Sequence, residues 1–230
     1  GMLGVGAGLL VAAGIGGGYW YWAGPTPRII GVPLADLKEE NLENGIPIVM
    51  YDCFNALESH LKEEGILRVS GENSRANELM DLYEAGKRPP LESEMPHTIS
   101  TLMKKYLNKL NEPLMTFALY EEIISFQKSA SKLSDSEWEE QATTLLRKLP
   151  ERNLELFVSL LNFLCACNAH ESDNKMSANN LGTVVTPSIC YPEPNYPVGQ
   201  MMSEIAVVAQ LFATMITKNK KGKLSSLLLQ

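Results

Sequence analysis

From Gly31 onward, apolar residues recur every three to four positions rather than every second position, which is the spacing of amphipathic helices. The clearest stripe begins after Pro47, a residue favoured in a first helical turn, and stops at Gly65, a residue favoured just past a helix end. Its apolar face consists of Val49, Cys53, Phe54, Leu57 and Leu61. The pattern predicts an all-α protein.

Further helices with the same spacing follow at short intervals. They are predicted at 76–85, 98–110, 118–128, 134–149, 150–165, 178–185 and 204–217. Ser134 and Glu137 have the spacing of a capping box, in which each side chain binds a backbone N–H that the first helical turn leaves free. Amphipathic helices joined by short loops favour a single helical bundle.

Charge divides the chain into three parts. The first 27 residues carry no charge, the body (28–217) holds all 27 acidic residues against 16 basic ones, and the tail (218–230) holds four lysines. A body with a net charge of −11 repels a phosphate backbone, so nucleic acid is excluded as a partner. The lysines of the tail are interpreted as a solubilising C-terminal end, rather than as a contact with an anionic membrane.

The uncharged leader (residues 1–27) is rich in glycine. Residues 3–22 would reach across a bilayer core of ~30 Å as a helix with a rise of about 1.5 Å per residue. However, the seven glycines within them each weaken a helix by about 1 kcal/mol. No basic segment precedes them, which argues against a cleaved secretory signal. We therefore favour a flexible or packed apolar leader, with membrane association through residues 3–22 as the alternative.

The cysteines and histidines do not form a metal-binding or catalytic motif. Cys165 and Cys167 are two positions apart on a predicted helix, so their side chains point to different faces and cannot bind one metal together. We interpret them, with Cys53 and Cys190, as small apolar core residues in a reducing compartment. We expect no metal site.

One short segment, EEGILRVSG at 63–71, stands out after the first helix. Two apolar residues follow the break at Gly65, and Arg68 is then carried on a loop that Ser70 and Gly71 close. An arginine held on an anchored loop suits the presentation of a cation to an anionic group on another molecule. Taken alone, the same loop also fits a solvated arginine in a turn.

Four ordered blocks extend this observation over residues 30–217. They are EGILRVSG at 64–71, LMKKYLNKLNEPLMTFALY at 102–120, LP at 149–150 before a long apolar helix, and NKMSANNLGTVVTPSI at 174–189. In sequence and spacing they resemble the domain of Rho-family GTPase-activating proteins, the RhoGAP domain. The resemblance implies a helical domain that binds a Rho- or Rac-type small GTPase and accelerates GTP hydrolysis.

The resemblance also implies roles for single residues. Arg68 matches the arginine finger, Lys104 the lysine of the helix before the LPEPL segment, and Asn180 the asparagine that faces the GTPase switch region. Lys105, Asn108 and Pro187 in the same blocks are expected to contact the GTPase. From the residues alone, Lys104 equally fits an exposed helix lysine, and Asn180 fits a cap or a buried hydrogen-bonding residue.

Three positions depart from the family pattern. Asn108 stands where members commonly have a second arginine, Asn111 replaces a proline of the LPEPL segment, and Thr186 lies where the motif FGP is usual. The finger itself is present, so we expect a GTPase activator that supplies a catalytic arginine in trans. A non-catalytic GTPase-binding or scaffold module is the alternative that Asn108 keeps open. The GTP and Mg²⁺ belong to the partner, so we expect no cofactor in this chain, and we expect a cytoplasmic protein.

Overall fold

The predicted all-α architecture is confirmed by a computed structural model, which describes residues 26–230. Its α-helices are α1 Ile48–Glu58, α2 Asn73–Glu84, α3 Pro96–Asn108, α4 Tyr120–Ser129, α5 Asp135–Leu146, α6 Glu151–Asn168, α7 Glu171–Asn174, α8 Ala178–Ile189, α9 Val198–Lys218 and α10 Lys223–Leu228. Strands β1 (Leu42–Glu43) and β2 (Ile46–Pro47) form a small antiparallel hairpin.

Helix α3 lies at the centre of the half that carries the Arg68 segment. It packs against α1, α2 and α8, and α8 packs along α9. Residues Ile99, Leu102 and Tyr106 of α3 are fully buried, because its apolar residues follow the helical repeat. At Gly182, an added Cβ would lie 2.5 Å from the carbonyl oxygen of Ala209, so α8 and α9 approach as closely as they do only because this residue is glycine.

Several helix ends differ from the sequence-based prediction. Helix α1 ends at Glu58, and turns rather than helix lead from there to Gly65. Helix α8 continues past Val185 and through Pro187 to Ile189, because its residues on either side of the proline are held in the core. Helix α9 begins six residues early, directly after Pro197. The capping box of Ser134 and Glu137 is confirmed at the start of α5.

The C-terminal residues 218–230, interpreted from the sequence as a solubilising end, also pack against α5 and α6. They contain α10, whose Leu224 and Leu228 are buried. The ammonium of Lys218 lies 2.7 Å from Asp135, and that of Lys223 lies 2.5 Å from Glu139. Two of the four lysines therefore pair with α5.

Burial of the cysteines follows the prediction with one exception. Cys53, Cys167 and Cys190 are buried, and burial raises the pKa of the Cys190 thiol to about 12. Cys165 is only half-buried, and its thiol donates to the carbonyl of Ile216. Residues 3–22, for which membrane association was the alternative to a flexible or packed leader, lie outside the described residues.

Helix α9 is the one described helix that is long and apolar enough to cross a membrane, with a mean hydropathy of 1.3 over its most apolar stretch. Its residues Leu211, Phe212 and Met215 are buried in the core of the bundle. A core helix of a folded domain explains this composition without a membrane.

Candidate functional site

Residues 63–71, which we call the Arg68 loop, form a tight turn between α1 and α2. Ile66 and Leu67 are buried, as the sequence predicted, and the backbone N–H groups of Arg68 and Val69 both donate to the carbonyl of Gly65, at 2.9 and 2.8 Å. Gly65 has φ 71° and Leu67 φ 68°. The left-handed backbone at Leu67 costs a non-glycine residue about 1–2 kcal/mol, so the surrounding contacts must hold it. The turn leaves the side chain of Arg68 exposed.

Lys104 supports this loop from α3. Its ammonium donates to the carbonyl of Leu67 at 2.6 Å, and its side chain is half-buried. Partial removal of water around the charge lowers the pKa of Lys104 below its usual value of 10.5. The interpretation of Lys104 as a merely exposed helix lysine is therefore wrong, because it contacts the residue that precedes Arg68.

Two threonines of α3 hold the end of the loop. The N–H of Gly71 donates to the hydroxyl of Thr101 at 2.9 Å, and the N–H of Glu72 donates to that of Thr98 at 3.4 Å. A Cβ on Gly71 would lie 2.3 Å from the backbone of His97, so only glycine allows the loop to lie this close to α3.

Asn174 holds the beginning of the loop. Its side-chain amide donates to the carbonyl of Leu61, and its backbone carbonyl accepts from the N–H of Gly65, both at 2.8 Å. The same side chain accepts from the N–H of Met176 at 2.8 Å, just before α8. The loop is thus fixed from two parts of the chain that are distant in sequence.

The other predicted contact residues lie on the outer faces of α3 and α8. Asn180 is exposed in the first turn of α8, where its amide donates to the carbonyl of Lys175 at 3.3 Å. Asn180 is therefore not buried, and Ser177 serves as the cap of that helix. Asn108 and Pro187 are also exposed, Lys105 partly so. The structure brings Lys104 onto the Arg68 loop, and it places these four residues on helices packed against each other.

The departures from the family pattern fit into the fold. Asn111 is exposed after α3, where it does not need to pack. Thr186 is buried in α8, and its hydroxyl donates to the carbonyl of Gly182 at 2.7 Å. The hydroxyl that this substitution brings into the core therefore has a hydrogen-bond partner.

Arg68 differs from the other arginines of the chain. The remaining five all bind a carboxylate or a carbonyl: Arg28 with Glu40, Arg75 with Glu94, Arg88 with Asp52, Arg147 with the carbonyl of Leu227, and Arg152 with Glu39. Within residues 26–230, the guanidinium of Arg68 makes neither a hydrogen bond nor an ion pair. Its five N–H donors are free for an anionic group on another molecule.

Thr98, Thr101 and Asn174 hold the Arg68 loop but were not predicted from the sequence. The threonines lie at three-residue intervals before Lys104, which places all three polar side chains along one side of α3. That spacing, on a helix that is otherwise largely apolar on its inner side, was the available indication. Asn174 was noted only as part of a motif, because a single asparagine between two helices has no periodic pattern.

Comparison with known proteins identifies relatives of this fold and sequence. The family model "RhoGAP domain" matches residues 47–194. The human Rho GTPase-activating protein 24 is 34% identical over 175 residues, which are 75% of this chain and 23% of that protein. RalA-binding protein 1-A of Xenopus laevis is 32% identical over 165 residues, which are 70% of this chain and 25% of that protein. The chain therefore spans about a quarter of the length of these curated relatives.

Among solved structures, human Rho GTPase activating protein 15 superposes with a TM-score of 0.75 at 24% identity. The superposition covers 85% of this chain and 92% of that one, and supports the same helical fold. The BH domain of GRAF, a GTPase regulator associated with focal adhesion kinase, gives a TM-score of 0.63 at 23% identity over 79% of this chain and 93% of that one.

Proposed function

Since this chain belongs to the RhoGAP domain family, we propose that it binds a GTP-loaded Rho- or Rac-type small GTPase and accelerates GTP hydrolysis. Several of its relatives are named Rho GTPase-activating proteins, which supports the proposal. In this mechanism Arg68 enters the nucleotide site of the partner. The GTP and Mg²⁺ are the partner's, and this chain supplies no cofactor.

The free guanidinium of Arg68 on a fixed loop is the observation that carries this proposal. Phosphoryl transfer is accelerated mainly by positioning and by neutralising charge on the oxygens of the transferred group. An arginine supplied in trans is worth a factor of about 10³–10⁵ in rate, which corresponds to about 4–7 kcal/mol. A side chain already bound to a carboxylate would have to break that ion pair first.

The neighbouring residues take supporting roles in the proposal. Lys104 fixes the carbonyl of Leu67 and thereby the start of the Arg68 side chain. Asn180, Lys105, Asn108 and Pro187 form the surface that contacts the GTPase around its switch region. These contacts set affinity and partner choice rather than the chemistry.

Single-turnover GTP hydrolysis tests the role of Arg68. We expect Arg68→Ala to reduce the acceleration by a factor of about 10³ or more, since the variant lacks the transition-state cation. Arg28→Ala is the matched control, because Arg28 is already paired with Glu40, and its loss should change the rate by less than about twofold. Equal rates for wild type and Arg68→Ala would rule out the finger mechanism.

The second candidate is a non-catalytic module that binds the GTP form without accelerating hydrolysis. Asn108 favours it, because a neutral, exposed amide stands where the family commonly supplies a second cation. Affinity for the GTP-loaded GTPase together with an unchanged hydrolysis rate would support this candidate.

We further propose that the domain acts in the cytoplasm. Membrane association through residues 3–22 is the competing proposal. Deletion of residues 2–24 separates the two: an anchor predicts that the deletion moves the protein from the membrane to the soluble fraction, whereas a leader without that role predicts no change.

A further inference from the structure

Asn174 uses every polar atom it has. It is fully buried, and its side-chain amide donates to the carbonyls of Leu61 and Cys167, at 2.8 and 2.7 Å. Its side-chain oxygen accepts from the N–H of Met176, and its backbone carbonyl accepts from the N–H of Gly65, both at 2.8 Å. One residue therefore joins three separate pieces of backbone.

Two of these pieces lead directly to residues of the proposed site. Leu61 and Gly65 precede Arg68 by seven and three positions. On the other side, Lys175 has a left-handed backbone with φ 61°, and its carbonyl accepts from the side chain of Asn180. The side chain of Asn174 thus joins the carbonyl of Leu61, which leads into the Arg68 loop, to the N–H of Met176, which directly follows Lys175.

We propose that Asn174 is a positioning residue, which sets the register between the Arg68 loop and the start of α8. Through it, Arg68 and Asn180 are presented to the GTPase in one fixed geometry. This inference rests on the proposed function, although the coupling itself is a property of the isolated chain. Asparagine suits the position because two donors and one acceptor are needed on a short side chain, whereas aspartate lacks the donors.

A purely structural role for Asn174 is the competing explanation, and the chain contains a matched control for it. Asn219, at the junction of α9 and α10, is also buried, with 1% of its surface exposed. Its amide donates to the side chain of Asn162 at 3.0 Å, and its side-chain oxygen accepts from the N–H of Ser225 at 2.8 Å. Like Asn174, it is a buried asparagine whose side chain joins separate parts of the chain, but it makes no bond to the Arg68 loop.

The first experiment measures GTP hydrolysis with Asn174→Ala and Asn219→Ala, below the unfolding temperature of both. We expect Asn174→Ala to lower kcat by about 10- to 100-fold, since misplacement of a catalytic group by about 1 Å has effects of this size. Asn219→Ala should change kcat by less than about twofold, because its bonds reach α6 and α10 and not the Arg68 loop.

A double-mutant cycle with Arg68→Ala distinguishes positioning from general destabilisation. If Asn174 acts through Arg68, Asn174→Ala produces no further loss of kcat in the Arg68→Ala background. A loss that persists in this background, or an equal loss in Asn219→Ala, would overturn the proposal. Should Asn174→Ala not fold, Asn174→Ser replaces it, since serine keeps an acceptor near Met176 but is too short to reach Leu61.

Hydrogen exchange tests the coupling without any GTPase. We expect Asn174→Ala to accelerate amide exchange in both 62–70 and 177–181, and Asn219→Ala to accelerate it in neither. Faster exchange confined to residues next to 174 would refute the coupling. If wild type failed to accelerate GTP hydrolysis while both segments still exchanged faster in Asn174→Ala, the proposed function would be wrong and the coupling would stand.

Discussion

The Arg68 loop and the N-terminal segment 28–30 are both irregular stretches held by hydrogen bonds to their backbone. They differ in their arginine side chains, because that of Arg28 is paired with a carboxylate and that of Arg68 is free within residues 26–230. In the N-terminal segment, one carboxylate, that of Glu84, accepts from the N–H groups of Arg28, Ile29 and Ile30, at 2.5, 3.0 and 2.9 Å. The side chain of Arg28 is then bound by Glu40 at 3.3 Å.

In the Arg68 loop, the anchoring groups are neutral or cationic. The amide of Asn174, the hydroxyl of Thr101 and the ammonium of Lys104 hold its backbone, and none of them attracts a guanidinium. A carboxylate in the position of Lys104 could not donate to the carbonyl of Leu67, because an ionised carboxylate only accepts hydrogen bonds. A loop can therefore be fixed through its backbone while its arginine stays free, whereas Arg28 is bound by a second carboxylate, that of Glu40, in addition to the carboxylate that holds its backbone.

The largest expected effect comes from Gly71 in the Arg68 loop, and Gly31, which directly follows the N-terminal segment, serves as its control. A Cβ at Gly71 would overlap the backbone of His97, so we expect Gly71→Ala to lower the free energy of unfolding by about 3 kcal/mol and to displace the loop. Gly31, with φ 75° and its nearest atom 3.4 Å away, is the control, and Gly31→Ala should cost only about 1 kcal/mol of backbone strain. Urea unfolding measures both. Similar losses would mean that the loop is no more tightly fitted than the N-terminal segment.

A smaller effect is expected from exchanging the charged anchor in each segment. Lys104→Met removes the donor to Leu67, and we expect kcat for GTP hydrolysis to fall about tenfold through misplacement of Arg68. Glu84→Gln weakens three backbone contacts and should cost about 1–2 kcal/mol of stability, with kcat unchanged. If Glu84→Gln lowered kcat as much as Lys104→Met, the two segments would not be independent.

The smallest expected effect is a dependence of the free energy of unfolding on pH. Because burial lowers the pKa of Lys104, the folded protein holds this proton less tightly than the unfolded chain does. This difference lowers the free energy of unfolding by its full amount at pH values below the lowered pKa of Lys104. The loss disappears as the pH rises towards 10.5, the usual pKa of lysine. We therefore expect the unfolding free energy of wild type, relative to Lys104→Met, to increase across that window. A difference that stays constant would indicate a fully solvated ammonium.

The helices and the exposed arginine were predictable from the sequence, whereas the anchors of the loop were not. Helical periodicity is local, so α3 and α6 follow from apolar spacing, and the burial of Ile66 and Leu67 follows from their place after a helix break. The bonds that fix the loop join residues 30, 37 and 113 positions apart. Such contacts depend on how the helices pack, which no local pattern contains. The roles of Arg68 and its neighbours in GTP hydrolysis stay predictions.

Helix ends were the least predictable part of the fold, for two physical reasons. Pro187 favours a helix end locally, but Thr186 and Ile189 are held in the core and keep α8 helical beyond it. The first turns of α9 expose Val198 and Met202, so their pattern does not look amphipathic, although Pro197 starts the helix there. In both cases tertiary packing or a single cap outweighs the local hydrophobic pattern.

The left-handed backbone of Leu67 has a consequence for the rate of association. The strain of about 1–2 kcal/mol is overcome when the chain folds, so under the proposed function we expect the GTPase to meet a loop that is already in its final conformation. On this expectation no slow rearrangement limits complex formation, and the affinity is not reduced by a rarely populated competent state. We expect the observed association rate to rise linearly with GTPase concentration, without the plateau that a rate-limiting conformational step would impose.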